Sequence, residues 1–467
     1  MQSATPDSPL RVAIVGSGPS AFYAAEALQK TPDLNARIDM FDRLPMPFGL
    51  VRGGVAPDHQ NIKAVVKVYE KIAAHPGFRF FGNVTFGKDL SYDDLAGRYH
   101  QIVFATGSPS DARLSVPGED QTGVFSATEF VGWYNGHPDF TDRRFDLAAA
   151  RRVAIVGNGN VAMDVARLLL KDPAALTATD LDDAALATLR TSKVEEVVLL
   201  GRRGPAQAAF SPKELEEIAE LPRLDVVVTK AEAEPDPLSL QWLEREGSRS
   251  SKRSVELVRG FAAAPTQHGG KRLTLRFCVA PIEVLGKNGR VTGVRLQHAV
   301  LEASASGAMR PKPIDRYENL DVDLVFRAIG YRGVPLPAVP FDPKSATIPN
   351  QDGRVQESAG GPVRRGCYVV GWAKRGPTGL IGTNSPDAKA TVTAMLADRA
   401  SGALLTPAPG DVADLLRERK VEVVTWQDWQ RLDAWEREQG TKRGRVRHKL
   451  SSIQEALRVV HEVRAKR

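Results

Sequence analysis

Residues 152–169, RVAIVGNGNVAMDVARLL, repeat a pattern already present at residues 11–28, RVAIVGSGPSAFYAAEAL. In each copy a short apolar run, rich enough in β-branched residues for a buried parallel strand, meets two glycines and then a segment of helix formers. This strand–turn–helix context gives a G-x-G-x-x-[GA] match its meaning. In the first copy Gly16 permits the tight turn, Gly18 lets backbone approach a pyrophosphate, and Ala21 is small where helix meets strand. The helix N-terminus then presents N–H groups and partial positive charge to the phosphates. The second copy has the same form, Gly157-Asn158-Gly159-Asn160-Val161-Ala162.

The strands that follow distinguish the two sites. After the first copy, RIDMFDR places Asp42 near a strand end. A carboxylate there accepts hydrogen bonds from a ribose diol, so the first site suits FAD or NAD. After the second copy, VEEVVLL runs into Gly201-Arg202-Arg203. Guanidinium forks clamp a 2′-phosphate that a carboxylate would repel, so the second site reads as NADP(H). Two fingerprints imply two dinucleotides, a fixed flavin and a diffusible nicotinamide, whose rings must meet for hydride to pass. Residues 171–193, between the second fingerprint and its arginines, read as an inserted helical excursion.

Composition bounds the alternatives. The chain has 467 residues, 42% hydrophobic and 25% charged, enough for two or three globular domains. No apolar run reaches the ~18 residues of a membrane span. The leading MQSATPDSPLR resembles neither a signal peptide nor a transit peptide, so a cytoplasmic, prokaryotic protein is expected. Two cysteines, Cys278 and Cys367, cannot make a disulfide framework, a C-x-x-C redox pair or an iron–sulfur cluster. The net charge of +7 fits a solvated surface or an acidic protein partner. Nucleic acid is not expected, because no reader motif is present and basic segments are scattered.

Strands are expected at HQIVFATG (100–107) and VDLVFRAIG (322–330), each ending in a small residue and a glycine that let backbone pass close to a dinucleotide. The expected fold is α/β, with two Rossmann-like domains. An NADP domain, 108–330, is inserted into an FAD domain made of 1–107 and 331–467, the latter with a C-terminal helical extension. LTLRFCVAPIEVLGKNGRVTGVRLQHAV alternates around Asn288-Gly289 and predicts a small antiparallel sheet. LEREGSRSSKRS, 243–254, reads as an exposed loop. Within 366–400, CYVVG is a strand, and Asn384 or Ser385 should cap a helix aimed at the flavin pyrimidine. Trp426, Trp429 and Leu432 fall at i, i+3 and i+6 and read as a packed helix face.

With these segments in view, the chain resembles the adrenodoxin-reductase-like ferredoxin–NADP reductases of mitochondria and bacteria. The resemblance covers nearly the whole chain and rests on IVGSGPSAF, LPMPFGLVRGGVAPDH, FRFFGNV, VPGED, FVGWYNGHP, GNGNVAMDVAR, GRRGPAQAAF, VGWAKRGPTGLIGTN and the Trp-rich tail. It implies FAD contacts at Gly16, Gly18, Ser20, Ala21, Asp42, Leu50 and Val84, with Trp372, Gly379, Leu380 and Ile381 along the flavin. The family usually has Glu at the Asp42 position. It implies NADP contacts at Asn158, Gly159, Asn160, Val161, Arg202, Arg203, Glu214 and Gly379. His59 and Glu217 match a family ion pair near the nicotinamide, expected to position and polarise, not to transfer a proton. A family arginine falls on Ala112 here, with Arg113 one place on. The activity implied is hydride transfer from NADPH to FAD, then one-electron transfer to an acidic ferredoxin; nothing in the sequence requires more than a monomer. Other NADPH-dependent flavoproteins, a synthase reductase module or a monooxygenase, and a non-catalytic scaffold of the same fold are the alternatives.

Overall fold

The structure is a computed structural model and describes residues 9–265, 269–304 and 307–465. The leading segment, residues 1–8, lies outside the described residues. The chain divides into two compact units. The first comprises Met1–Asp111, Asn135–Thr141 and Gly330–Arg467; the second comprises Ala112–Tyr134 and Asp142–Ile329.

The first unit is built on an eight-stranded sheet. Its parallel centre runs Val363–Val369, Gln101–Phe104, Leu10–Val15, Ala36–Phe41, Phe78–Gly82. Antiparallel pieces, Asn350–Gln351 with Arg354–Gln356 on one side and Val424–Thr425 on the other, close its edges. Leu10–Val15 shows why such strands are apolar throughout. Leu10, Val12 and Ile14 feed one core layer, whereas Ala13 and Val15 feed the layer on the opposite face. Period two, with both faces covered, leaves no solvent side. The helix Pro19–Gln29 and the long helix Asn384–Ala400 cover the first of these faces, through Phe22, Ala25, Leu28, Val392 and Met395.

The tail closes the same layer. Helix Trp426–Lys442 starts on a capping box in which Thr425 and Asp428 exchange side-chain and backbone hydrogen bonds. Trp429 and Leu432 are buried and Trp426 packs beside them, so the stripe read from sequence is a core face.

The second unit is a six-stranded, wholly parallel sheet in the order Val124–Ser126, Leu324–Arg327, Arg152–Val156, Glu196–Leu200, Lys271–Arg276, Leu224–Val227. A separate antiparallel sheet joins Val279–Lys287, Arg290–Ala303 and Met309–Asp321. Asn288 and Gly289 make the hairpin turn, both with positive φ. The structure corrects the sequence reading here in two ways. Lys271–Arg276 leaves the alternating segment and joins the parallel sheet, and the third antiparallel strand, Met309–Asp321, carried no hairpin signal of its own.

Residues 171–193 contain two short helices, Pro173–Leu176 and Asp183–Arg190, each begun by an aspartate cap. LEREGSRSSKRS is not a loop. It is the end of helix Pro237–Arg245 and the start of helix Arg249–Ala263, which Ser248 caps and which buries Ser254, Val255 and Val258. The charges occupy the solvated side of an amphipathic helix, whose apolar stripe begins only after the Ser-rich turn.

Candidate dinucleotide sites

The two fingerprints fold alike. Gly16 has φ 107° and Gly157 has φ 127°, values open to glycine and not to side-chain-bearing residues. A Cβ on Gly16 would lie 2.4 Å from the Ala105 carbonyl oxygen, and one on Gly157 would lie 2.3 Å from that of Ala328. The small residues ending HQIVFATG and VDLVFRAIG thus press their carbonyls against the first glycine of each fingerprint. Gly18 and Gly159 stand at the helix starts in extended conformation, and no side chain caps either helix. A Cβ on Gly18 would meet nothing within 4 Å, and one on Gly159 would only reach Ala209 Cβ at 3.9 Å. Each helix therefore begins against a space that backbone donors face and no side chain fills, the shape a pyrophosphate requires.

In the first unit Asp42 follows its strand as expected. Its Oδ2 accepts from the Ser17 hydroxyl and the Ser17 N–H, and Oδ1 accepts from Leu44 N–H at 2.9 Å. Burial raises the Asp42 carboxyl above its ordinary range, opposed by those hydrogen bonds and by Arg43. Ser17, between the two glycines, is the bridge that composition gave no reason to single out. Val84 is buried and donates its N–H to the Asp42 carbonyl at 2.9 Å. Ser20 and Ala21 are buried on the fingerprint helix. A Cβ on Gly371 would lie 2.5 Å from Ser20 Oγ, so the segment that leads into Trp372 runs against that helix. Trp372 donates its indole N–H to the Thr378 carbonyl at 3.1 Å and lies against Tyr331, the ring centroids 5.3 Å apart. Gly379, at φ 79°, is exposed, as is Leu380, while Ile381 packs on the core. Leu50 is also exposed and opens the short helix Leu50–Gly53. His59, buried, heads the helix Gln60–Lys63.

The expected cap at Asn384 or Ser385 takes another form. A 3₁₀ turn, Ile381–Thr383, leads straight into helix Asn384–Ala400, and no side chain caps its start. The Asn384 amide donates to the Leu380 and Ile381 carbonyls, and Thr383 donates its hydroxyl to Leu380. Asp387 in the first turn accepts from Gly371 N–H at 2.7 Å and from Lys374. Side chains here organise the incoming loop, the Asn384 N–H bonds to the Ile381 and Gly382 carbonyls of the 3₁₀ turn, and no side chain among the described residues caps the helix start.

In the second unit Arg202 is exposed and Arg203 half-buried, and no carboxylate pairs with either among the described residues. Burial, and Arg202 beside it, lower the Arg203 guanidinium from its ordinary value. Two unneutralised guanidiniums at a strand end form a ready seat for a dianion. Asn158 accepts Ala209 and Phe210 N–H on its carbonyl, while its buried side-chain Nδ2 finds no partner among the described residues. Asn160 Oδ1 accepts Ser211 N–H at 2.8 Å, tying the fingerprint to the helix Pro212–Ala219. Val161 is half-buried in the first turn of its helix. Glu214 is buried; burial first, then the neighbouring Asp164, raise its carboxyl to about 7. Glu217, one turn on, pairs with Lys213 at 3.3 Å. Arg113, next to Ala112, is engaged by Glu119 and Asp120.

Burial raises both the Cys278 and Cys367 thiols to about 11, so at neutral pH both stand protonated and not as thiolates.

Comparison with known proteins agrees with this architecture. The family profile described as pyridine nucleotide-disulphide oxidoreductase matches residues 10–220. The chain is 46% identical over 466 residues to "NADPH-ferredoxin reductase FprA" of Mycobacterium tuberculosis, covering 97% of this chain and 99% of that protein. It is 39% identical to the mitochondrial "NADPH:adrenodoxin oxidoreductase" of Arabidopsis thaliana, covering 97% of this chain and 96% of that one. The structure of Mycobacterium tuberculosis FprA in complex with NADPH superimposes with a TM-score of 0.90 at 44% identity, covering 97% of this chain and 99% of that one. The paired fingerprints, the contrast between Asp42 and the two arginines, and likeness along nearly the full length lead to one assignment: this chain belongs to the FprA-type NADPH-ferredoxin reductase family.

Proposed function

We propose that this protein is an FAD-dependent ferredoxin–NADP⁺ reductase, with FAD on the first fingerprint and NADPH on the second. When bound, FAD supplies the chemistry that joins a two-electron hydride donor to a one-electron iron–sulfur acceptor. The observation that carries the reading is the contrast at the two strand ends: a carboxylate held by its own fingerprint at Asp42, and two guanidiniums, at Arg202 and Arg203, that no carboxylate among the described residues pairs with. The first suits a ribose diol and the second a 2′-phosphate.

The protein's own groups bind, orient and polarise. Gly16, Gly18, Ser20 and Ala21 hold the FAD pyrophosphate against a helix start, and Asp42 takes the ribose. Leu50 and Val84 contact the FAD, Trp372, Gly379, Leu380 and Ile381 lie along the isoalloxazine, and Gly379 also meets the nicotinamide. The start of helix Asn384–Ala400, which no side chain caps, is assigned to the pyrimidine edge, where its partial positive charge would stabilise negative charge. Asn158, Gly159, Asn160 and Val161 hold the NADPH pyrophosphate, with Glu214 beside it. At a value near 7, Glu214 is partly protonated at neutral pH, and the neutral carboxyl donates a hydrogen bond where a carboxylate would repel phosphate. His59 and Glu217 position the nicotinamide.

The electron acceptor is an acidic ferredoxin, a choice supported by the chain's net charge of +7 and by the relatives' names. The enzyme works as a cytoplasmic monomer. No helix among the described residues is long and apolar enough to cross a membrane. The raised thiols and the lack of a C-x-x-C speak against disulfide reduction. The test is NADPH-driven cytochrome c reduction. It should depend on added ferredoxin; reduction of a small organic substrate instead would favour a monooxygenase.

A further inference from the structure

We propose that the C-terminal tail is a clamp on the flavin-side turn Pro47–Gly49, with Glu436 and Arg52 as positioning residues for the flavin. The inference rests on the first fingerprint holding FAD.

Phe48 has φ 87°, a conformation that a bulky L-residue adopts only when its surroundings impose it. Its N–H donates to the Ser17 carbonyl of the fingerprint at 3.0 Å. A Cβ on the next residue, Gly49, would lie 3.1 Å from Gly18 Cα. The strained turn therefore lies directly on the glycine proposed to face the pyrophosphate. Where it sits decides how much room the cofactor has.

The tail fixes the turn at both ends. Upstream, the Phe48 ring meets Trp429 edge-on at 5.7 Å and Trp426 at 6.1 Å, with Phe22 and Tyr69 completing the box. Downstream, Arg52 forms a two-pronged pair with Glu436, Nη1 to Oε2 at 2.8 Å and Nη2 to Oε1 at 2.6 Å, and its guanidinium lies 5.4 Å from the Trp429 ring. Lys449, also buried, donates to the Arg52 carbonyl at 3.3 Å and to Asn135 Oδ1 at 2.8 Å. Glu436 is 0% exposed, and Arg447 and the Leu450 N–H fill its remaining acceptor sites. Burial alone would raise its carboxyl, but Arg52 and Arg447 hold it down at about 2.

A buried ion pair adds little net stability compared with apolar packing of the same volume. A two-pronged pair does define position, because both oxygens and both nitrogens must register at once. This grip begins three residues after Gly49, and nothing between them is long enough to absorb a displacement. The tail thereby sets the height of the Gly49 backbone over the fingerprint.

The test compares holoenzymes of the wild type, Glu436→Gln and Arg52→Lys. Flavin release is followed by the rise of fluorescence after dilution, together with the shape of the visible spectrum and the thermal midpoint. Asp94→Asn serves as the control. It removes a capping box and the Arg419 pair elsewhere in the same unit, so it lowers the midpoint without reaching the turn. Both clamp variants should release flavin about ten-fold faster or more, as when groups that orient a binding residue are lost. The control should release it at the wild-type rate. Clamp variants that lower the midpoint but release flavin like the control overturn the proposal. If Glu436→Gln does not fold, Arg52→Lys keeps the buried positive charge and decides the matter alone. A wild-type protein that carries no flavin overturns the first-site reading and this inference with it, and that is seen before any variant is made.

Discussion

Replacing Arg202 and Arg203 together by alanine isolates the feature that separates NADPH from NADH. Among the described residues neither guanidinium is paired with a carboxylate, and burial, with Arg202 alongside, disfavours the charged form of Arg203. Truncation therefore breaks no ion pair among the described residues and relieves a like-charge contact, so the thermal midpoint should hold or rise slightly. The loss falls on the coenzyme. A hydrogen bond to a charged group contributes roughly 1.5–3 kcal/mol. Two such contacts to the 2′-phosphate give about 3–6 kcal/mol, or roughly 10² to 10⁴ in affinity. NADH, with a hydroxyl at that position, should lose less than about ten-fold. The assay is the dissociation constant of each coenzyme, read as a titration of the flavin's visible absorbance, alongside steady-state KM values. Equal losses for the two coenzymes would refute the assignment of these arginines to the 2′-phosphate.

Other perturbations follow from the same geometry. Gly18→Ala should leave the stability of the apoprotein within about 1 kcal/mol of wild type, because its backbone is extended and a Cβ there meets nothing within 4 Å; flavin content should nonetheless fall, because the methyl fills the pyrophosphate's place. Gly157→Ala should behave oppositely and lose several kcal/mol of stability, since its φ is 127° and the Ala328 carbonyl lies 2.3 Å from the new methyl. Glu214, raised from 4.5 to about 7 by burial and Asp164, binds its proton more tightly folded than unfolded. Its contribution is complete below pH ~4.5 and is lost as pH rises through about 7, so Glu214→Gln should gain on wild type across that window by up to about 3 kcal/mol in denaturant melts. A constant difference from pH 4 to 8 would show that the carboxyl is not shifted. Ferredoxin-dependent turnover should fall steeply as ionic strength rises, and a flat salt response would count against electrostatic docking.

The features legible in the sequence are those with a short-range physical signature. Strand–glycine–helix at 11–28 and 152–169, Asn288-Gly289 in its hairpin and the Trp426/Trp429/Leu432 stripe all express local periodicity or turn chemistry, and each took the expected form. The errors arose where tertiary partners outweigh composition. LEREGSRSSKRS is polar, but Val255 and Val258 beyond it supply the apolar face that makes it part of a helix. Lys271–Arg276 alternates like a hairpin strand and is drawn instead into the parallel sheet by pairing with Glu196–Leu200 and Leu224–Val227. In the candidate sites, the glycines and charged strand ends could be named in advance. Ser17 bridging to Asp42, the strained Phe48 and the grip of Glu436 on Arg52 could not, because they join residues up to hundreds of positions apart, or need a backbone dihedral that no residue type announces.

The central claim is that one chain brings a bound flavin and a visiting NADPH into reaction. It is tested most directly by mixing the purified protein with NADPH anaerobically in a stopped-flow instrument while following visible absorbance. The account predicts a yellow protein whose flavin band bleaches rapidly with NADPH, far more slowly with equal NADH, and returns when an oxidised ferredoxin is added. A colourless protein, or a flavin that NADPH leaves fully oxidised, would contradict it.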